Sequence, residues 1–158
     1  MHYSEDSMKT LIKKNKWECL LYSFAMALDL EPAELAFALG HDGSQIVNNL
    51  APEPLGRIGF HVQEMIHVAL ATGKTVTPFE FIPVSVVAGG TYPIVHGDRK
   101  DAFNHLINTE RGVLTSQHHA MAFERGLVTN PDDGETFLFL MRDCFERNFR
   151  PQCAWVVK

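Results

Sequence analysis

Three kinds of side chain, far apart along this chain, can together break an amide: a thiol, an imidazole and a carboxamide. Cys19 stands at the head of the apolar run Leu20-Leu21-Tyr22-Ser23-Phe24-Ala25-Met26-Ala27-Leu28. A hundred residues later the chain reads Ser116-Gln117-His118-His119-Ala120-Met121-Ala122-Phe123, then a polar turn, then Leu127-Val128-Thr129-Asn130-Pro131. A thiol is a nucleophile only as the thiolate, and both a helix N-terminus and a nearby imidazolium lower its pKa. The imidazole in turn needs a hydrogen-bond acceptor to fix its ring orientation. Cys19 opening a helix, His119 opening a strand and Asn130 closing the next strand meet all three needs.

The elements that must position these groups follow from periodicity and breakers. Residues 18–29 read as a helix whose apolar surface is too broad for exposure, hence a buried central one. Pro32 to Leu39 reads as a second helix opened by a proline and ended by Gly40, and 62–72 as a third stopped by Gly73. Thr75 to Ile82 suggests a strand. Ala102, Phe103, Leu106 and Ile107 recur at helical spacing within 100–108. After Gly112 the period shortens: 113–115, 120–123, 127–129, 136–141 and 154–157 are short, β-favouring and separated by turn residues. The expectation is one α+β domain over 1–158, an N-terminal helical half packed on a C-terminal antiparallel sheet.

The register of one hairpin decides which group meets His119. A tight turn centred between Glu124 and Arg125 places Asn130 opposite His119, with both side chains on one face. Centring the turn on Arg125-Gly126 pairs His119 with Asp132 instead. The first arrangement is the expectation here. His118 then faces away from His119, as a surface or loop residue.

Composition narrows the classes. The chain has 158 residues, 46% hydrophobic and 21% charged, with a net charge of -5. That balance offers no basic face for nucleic acid or an anionic membrane. Charges at Glu5, Asp6, Lys9, Lys13, Lys14, Lys16 and Glu18 interrupt any signal-peptide core, and no apolar run reaches membrane-spanning length. Three cysteines, at 19, 144 and 153, without CxxC spacing argue against a disulfide scaffold or zinc ribbon. A reducing, cytoplasmic setting and no cofactor are expected.

His119-Ala120-Met121-Ala122 resembles the His-Ala-Val-Ala strand of papain-like cysteine peptidases. Asn130-Pro131 resembles the Asp-Pro that follows the catalytic histidine in the bacteriocin-processing peptidases and their relatives. The helix at 100–108, leading into Gly112 to Thr115 and then the histidine, is similar to that branch as well. The likeness is one of order and spacing from about residue 13 to 141. It implies a papain-like fold in which Cys19 attacks an amide carbonyl, His119 protonates the leaving amine and then activates water against the thioester, and Asn130 orients His119.

The resemblance also implies an oxyanion site made by the Cys19 N–H, with Asn15 as second donor; one such donor is worth about 3 kcal/mol. The chain departs from the family's pattern in three places. Leu20 replaces the usual glycine after the cysteine, Lys13 stands where an oxyanion-binding Gln is common, and Asn130 replaces Asp. A peptide or protein is the implied substrate. The same machinery serves deamidation, acyl transfer and cell-wall amide cleavage.

Other readings of the same residues remain in view. Cys19 also suits a core helix, and a non-catalytic binding or structural module on the same fold is the alternative function. Cys144 and Cys153 read as structural; Gln152-Cys153-Ala154-Trp155 looks superficially like a nucleophile motif, yet only five residues follow it. Histidines 2, 41, 61, 67, 96 and 105 show no HExxH or paired metal-ligand spacing. His41-Asp42-Gly43 and His96-Gly97-Asp98 read as loops that border a cleft, and Gly89-Gly90 as a turn.

Overall fold

The computed structural model describes residues 7–44, 59–81, 86–87, 90–91 and 98–158. His2, Gly89, His96 and Gly97 lie outside the described residues. Five helices occur among those described: α1 (Cys19–Leu28), α2 (Pro32–Leu39), α3 (Val62–Ala71), α4 (Asp98–Thr109) and α5 (Met141–Glu146). The strands are β1 (Val76–Glu80), β2 (Val86–Val87), β3 (Gly90–Thr91), β4 (Arg111–Thr115), β5 (Ala120–Glu124), β6 (Leu127–Thr129), β7 (Thr136–Leu138) and β8 (Cys153–Val157). β2 and β3 pair only with each other; the other six form an antiparallel sheet in the order β1-β8-β4-β5-β6-β7.

Alternation along the strands builds a core on each face of this sheet. Val113, Ala120 and Val157 pack with α1, α2 and α3, whereas Leu114, Met121, Phe123, Ala154 and Val156 pack with Phe103 and Ile107 of α4 and Cys144 of α5. The fold class is therefore α+β, with α1 against β4 and β5. Every residue of α1 from Leu20 to Leu28 is buried, as its nearly all-round apolar surface requires. Asp29 ends the helix in the left-handed conformation, φ 57°, and its N–H reaches Ala25 O and Met26 O.

Two expectations about the elements need correction. The division into a helical first half and a sheet second half is too simple: β1 comes from the first half and pairs with β8, Val76 opposite Val157 and Glu80 opposite Cys153. The strand expected over 136–141 stops at Leu138, and Leu140 caps α5. The run Phe137-Leu138-Phe139-Leu140-Met141 is too short for its period to separate strand from helix. Burial of Cys144 against the second core settles the matter in favour of a helical turn.

The hairpin register also differs from the expected one. Glu124 pairs with Leu127, Phe123 with Val128 and Ala122 with Thr129, so the turn is centred on Arg125-Gly126. Both turn residues have positive φ, 46° and 87°, as a type I′ connection requires. α4 enforces it: Arg125 N–H donates to Glu110 O at 2.9 Å and Gly126 N–H to Ile107 O at 2.8 Å. A Cβ on Gly126 would sit 2.5 Å from Asn108 Oδ1, so the Asn108 side chain would have to move; the positive φ is what calls for glycine.

Candidate active site

One end of the sheet carries the groups of interest. β4 ends at Thr115, and the turn to β5 is closed by Ser116 N–H donating to His119 O at 2.9 Å. The His119 N–H donates to Ser116 Oγ at 3.1 Å, which fixes the backbone of His119 immediately before β5. β6 ends at Thr129, placing Asn130 at the same end of the sheet. α1 starts there too, with Cys19 as its first helical residue and Glu18 as its cap. Tyr22 N–H donates to Glu18 O, closing the first turn and leaving the N–H groups of Cys19, Leu20 and Leu21 outside the helical ladder.

Cys19, His119 and Asn130 come together in a chain of contacts. Cys19 and His119 line the same cleft, and each favours the charged form of the other. Its Nε2 lies 3.0 Å from Asn130 Oδ1. That same Oδ1 accepts the Asp132 backbone N–H at 3.0 Å, so it must be the carbonyl oxygen, and the Nε2 facing it must carry a proton. The Cys19 side is then served by Nδ1. The His119 ring also meets the edge of Phe149 at 5.8 Å between centroids, interplanar angle 90°.

The β5–β6 ladder ends with Ala122 opposite Thr129, so neither His119 nor Asn130 belongs to it; Asp132, in the turn after β6, places its Oδ2 3.7 Å from His119 Nε2. Asn130, the first residue after β6, reaches the ring from the end of that strand. The expected opposition of 119 and 130 is thus corrected, while the contact between them exists for a different geometric reason. Lys13 forms an ion pair with Asp132 Oδ1 at 2.6 Å.

The electrostatics divide the three free cysteines sharply. Burial pushes the Cys19 thiol up, but the His119 hydrogen bond, the charges of His119 and Lys13 and the Ala120 N–H outweigh it, holding it below its ordinary value of 9.0. Burial pulls His119 down, and its hydrogen bond and charge interaction with Cys19, helped by Asn130 and Asp132, carry it above 6.5. The two shifts agree: the couple is displaced toward thiolate and imidazolium. Among the described residues, Cys144, buried, and Cys153, half-buried, have no imidazole beside them, and desolvation pushes each up to about 11.

Cys19 and His119 open onto a cleft of about 340 Å³ whose walls include Trp17, Phe60, His61 and Trp155. Asn15 does not line this cleft; it is exposed, and its backbone N–H donates to Glu18 Oε1 at 2.7 Å. His118 is exposed on the cleft rim. The loop at His41-Asp42-Gly43 does border the site, since His41 stacks on Phe60 at 4.8 Å and Asp42 O accepts the Trp17 indole N–H at 3.1 Å.

Trp155, Phe149 and Lys13 were not singled out as site residues from sequence. Trp155 belongs to the five-residue β8, and its indole N–H donates to Thr115 Oγ1 at 3.0 Å, a cross-strand contact that periodicity does not encode. Among the described residues no three His, Cys, Asp or Glu side chains gather into a set that could hold a metal ion. No helix among them is long and apolar enough to cross a membrane.

The arrangement defines a class: an α+β domain with a thiol at a helix N-terminus, an imidazole between that thiol and a carboxamide, and an open cleft. No protein-family model matches the sequence, and no curated protein shows significant similarity to it.

Proposed function

We propose that this chain is a papain-like thiol hydrolase, a cysteine peptidase or related amidohydrolase working through Cys19, His119 and Asn130. The observation that carries the reading is that Cys19, at the first position of α1, and His119 share one cleft, with His119 Nε2 3.0 Å from Asn130 Oδ1. The Cys19 thiolate adds to the carbonyl carbon of a cleft-bound amide. His119, protonated on the nitrogen facing Cys19, delivers that proton to the departing amine. A thioester on Cys19 remains. Neutral His119 then takes a proton from water, whose oxygen attacks the thioester; the C–S bond breaks, releasing the acid and restoring the Cys19 thiolate beside the His119 imidazolium. Asn130 holds the ring through both steps by accepting the Nε2 proton.

The Cys19 backbone N–H, free of the helical ladder, is the oxyanion donor this geometry offers. Asn15, exposed and outside the cleft, is not brought into position for the second donor. That vacancy favours the alternative, a non-catalytic module on the same fold. Alkylation of Cys19 by iodoacetamide near neutral pH separates the two: a hydrolase site reacts faster than free cysteine and loses that advantage in His119→Ala. Reactivity equal to free cysteine in both proteins would sink the enzymatic reading.

A further inference from the structure

Lys13 is an unusual lysine for this surface. Its side chain is only 16% exposed, although it belongs to an irregular N-terminal segment. Both its ends are engaged by the neighbourhood of Asn130: the backbone N–H donates to Pro131 O at 2.7 Å, and Nζ pairs with Asp132 Oδ1 at 2.6 Å. Nζ also donates to Lys16 O at 3.3 Å, which ties the same ammonium to the turn leading into Cys19. Asp132, 46% exposed, contributes its backbone N–H to Asn130 Oδ1 and directs its second carboxylate oxygen to His119 Nε2 at 3.7 Å. At that distance the interaction is coulombic and too long for a hydrogen bond.

We propose that Lys13 and Asp132 are a positioning pair for the Cys19 and His119 couple: Lys13 claims one oxygen of Asp132, leaving the Nε2 proton of His119 to Asn130, while its ammonium stands as a second cation beside the thiolate. The proposal rests on the thiol-hydrolase reading above. A free carboxylate is a stronger acceptor than a carboxamide and would compete for the imidazole proton. Pairing with Lys13 weakens that competition without removing the carboxylate's field. Among the described residues, the titratable groups near the couple are Lys13 and Lys16 from the N-terminal segment, His61 at the start of α3, His118 beside the ring and Asp132 after β6, while the Glu18 carboxylate accepts the Asn15 N–H. Of these, Lys13 acts on Cys19 and Asp132 on His119 through their charges.

The test is the pH profile of Cys19 alkylation by iodoacetamide in the full chain, for the wild type, Lys13→Met, Lys13→Arg and Asp132→Asn, with a melting temperature for each. Losing the ammonium in Lys13→Met destabilises the thiolate and relieves repulsion on the imidazolium, so both midpoints of the profile move up and alkylation near neutral pH slows about two- to fivefold, the size of a partly exposed ion pair. Losing the carboxylate in Asp132→Asn moves both midpoints down. Lys13→Arg keeps the wild-type profile. Opposite displacements by the two partners are something a purely structural clamp would not produce. Unmoved midpoints with lowered melting temperatures, or displacement in the same direction, overturn the proposal while leaving the hydrolase reading intact. A wild-type Cys19 that reacts as free cysteine and ignores His119→Ala brings down the hydrolase reading, and with it any role for the pair. If Lys13→Met does not fold, Asp132→Asn and Lys13→Arg carry the same decision.

Discussion

Asn130 Oδ1 lies 3.0 Å from His119 Nε2, while the carboxylate of Asp132, in the turn after β6, stands 3.7 Å from the same nitrogen. The shorter reach goes to the residue whose carbonyl oxygen is already aimed by the Asp132 N–H. A neutral acceptor therefore orients the imidazole, and a charged one supports it from farther away.

Removing that acceptor tests the orientation directly. Asn130→Ala deletes a hydrogen bond to a group that becomes charged, worth about 1.5–3 kcal/mol, so Cys19 alkylation near neutral pH slows about ten- to hundredfold. Asn130→Asp, which keeps an acceptor, retains most of the rate. Mass-spectrometric time courses of the labelled peptide read both.

The three thiols provide an internal comparison as pH is varied. Cys19, held below its ordinary value by His119 against the opposing effect of burial, is labelled by iodoacetamide at pH values where Cys144 and Cys153, pushed up to about 11 by burial, stay unmodified. Labelling of Cys19 falls as pH drops through its lowered pKa and the thiolate is lost. On the proposed hydrolase reading, amide hydrolysis also falls as pH rises through the raised pKa of His119, because the proton for the leaving amine is gone. Alkylation needs no such proton and persists there, so the two profiles separate on the alkaline side.

Arg111 links the far end of α1 to the sheet. Nη1 donates to Asp29 Oδ2 at 2.6 Å and Nε to Glu124 Oε2 at 2.7 Å, with the side chain 17% exposed. Arg111→Met leaves two carboxylates without this partner and costs about 1–3 kcal/mol. Urea unfolding monitored by tryptophan fluorescence measures the loss, and an unchanged midpoint would show that the cap of α1 is held by other contacts.

Gly126 governs the hairpin. Alanine there meets both the left-handed backbone, φ 87°, and Asn108 Oδ1 at 2.5 Å, so Gly126→Ala destabilises by at least about 1 kcal/mol. Pairing the substitution with Asn108→Gly relieves the clash and recovers part of the melting temperature, leaving the backbone strain as the remainder.

Helix α1, with Cys19 at its head, was readable because an almost unbroken apolar run admits only a buried element, and the residues before it break the pattern. Helices α2 and α3 were readable from Pro32, Gly40 and Gly73, where backbone restrictions are local. The candidate triad was readable as chemistry, since only certain side chains activate a thiol. Asn15 shows the limit of that approach: a carboxamide four residues before Cys19 has the right chemistry, but the turn that lets its N–H bind Glu18 leaves it outside the cleft. Likewise, Thr136 to Met141 looked like one strand because six apolar-rich residues carry too little periodicity to show a change of element at Leu138.

Sequence by itself determined which groups could react and which segments had to be buried, because both depend on side-chain type and short-range spacing. Only the tertiary structure decided how those groups meet. Ile107 O in α4 and Glu110 O just after it hold the turn on Arg125-Gly126, and the turn that follows β6 brings Asn130 and Asp132 to His119. The same assembly brings Lys13 across to Asp132, through a contact between residues more than a hundred positions apart. Such contacts arise from how whole elements dock, and no local pattern of residues specifies them.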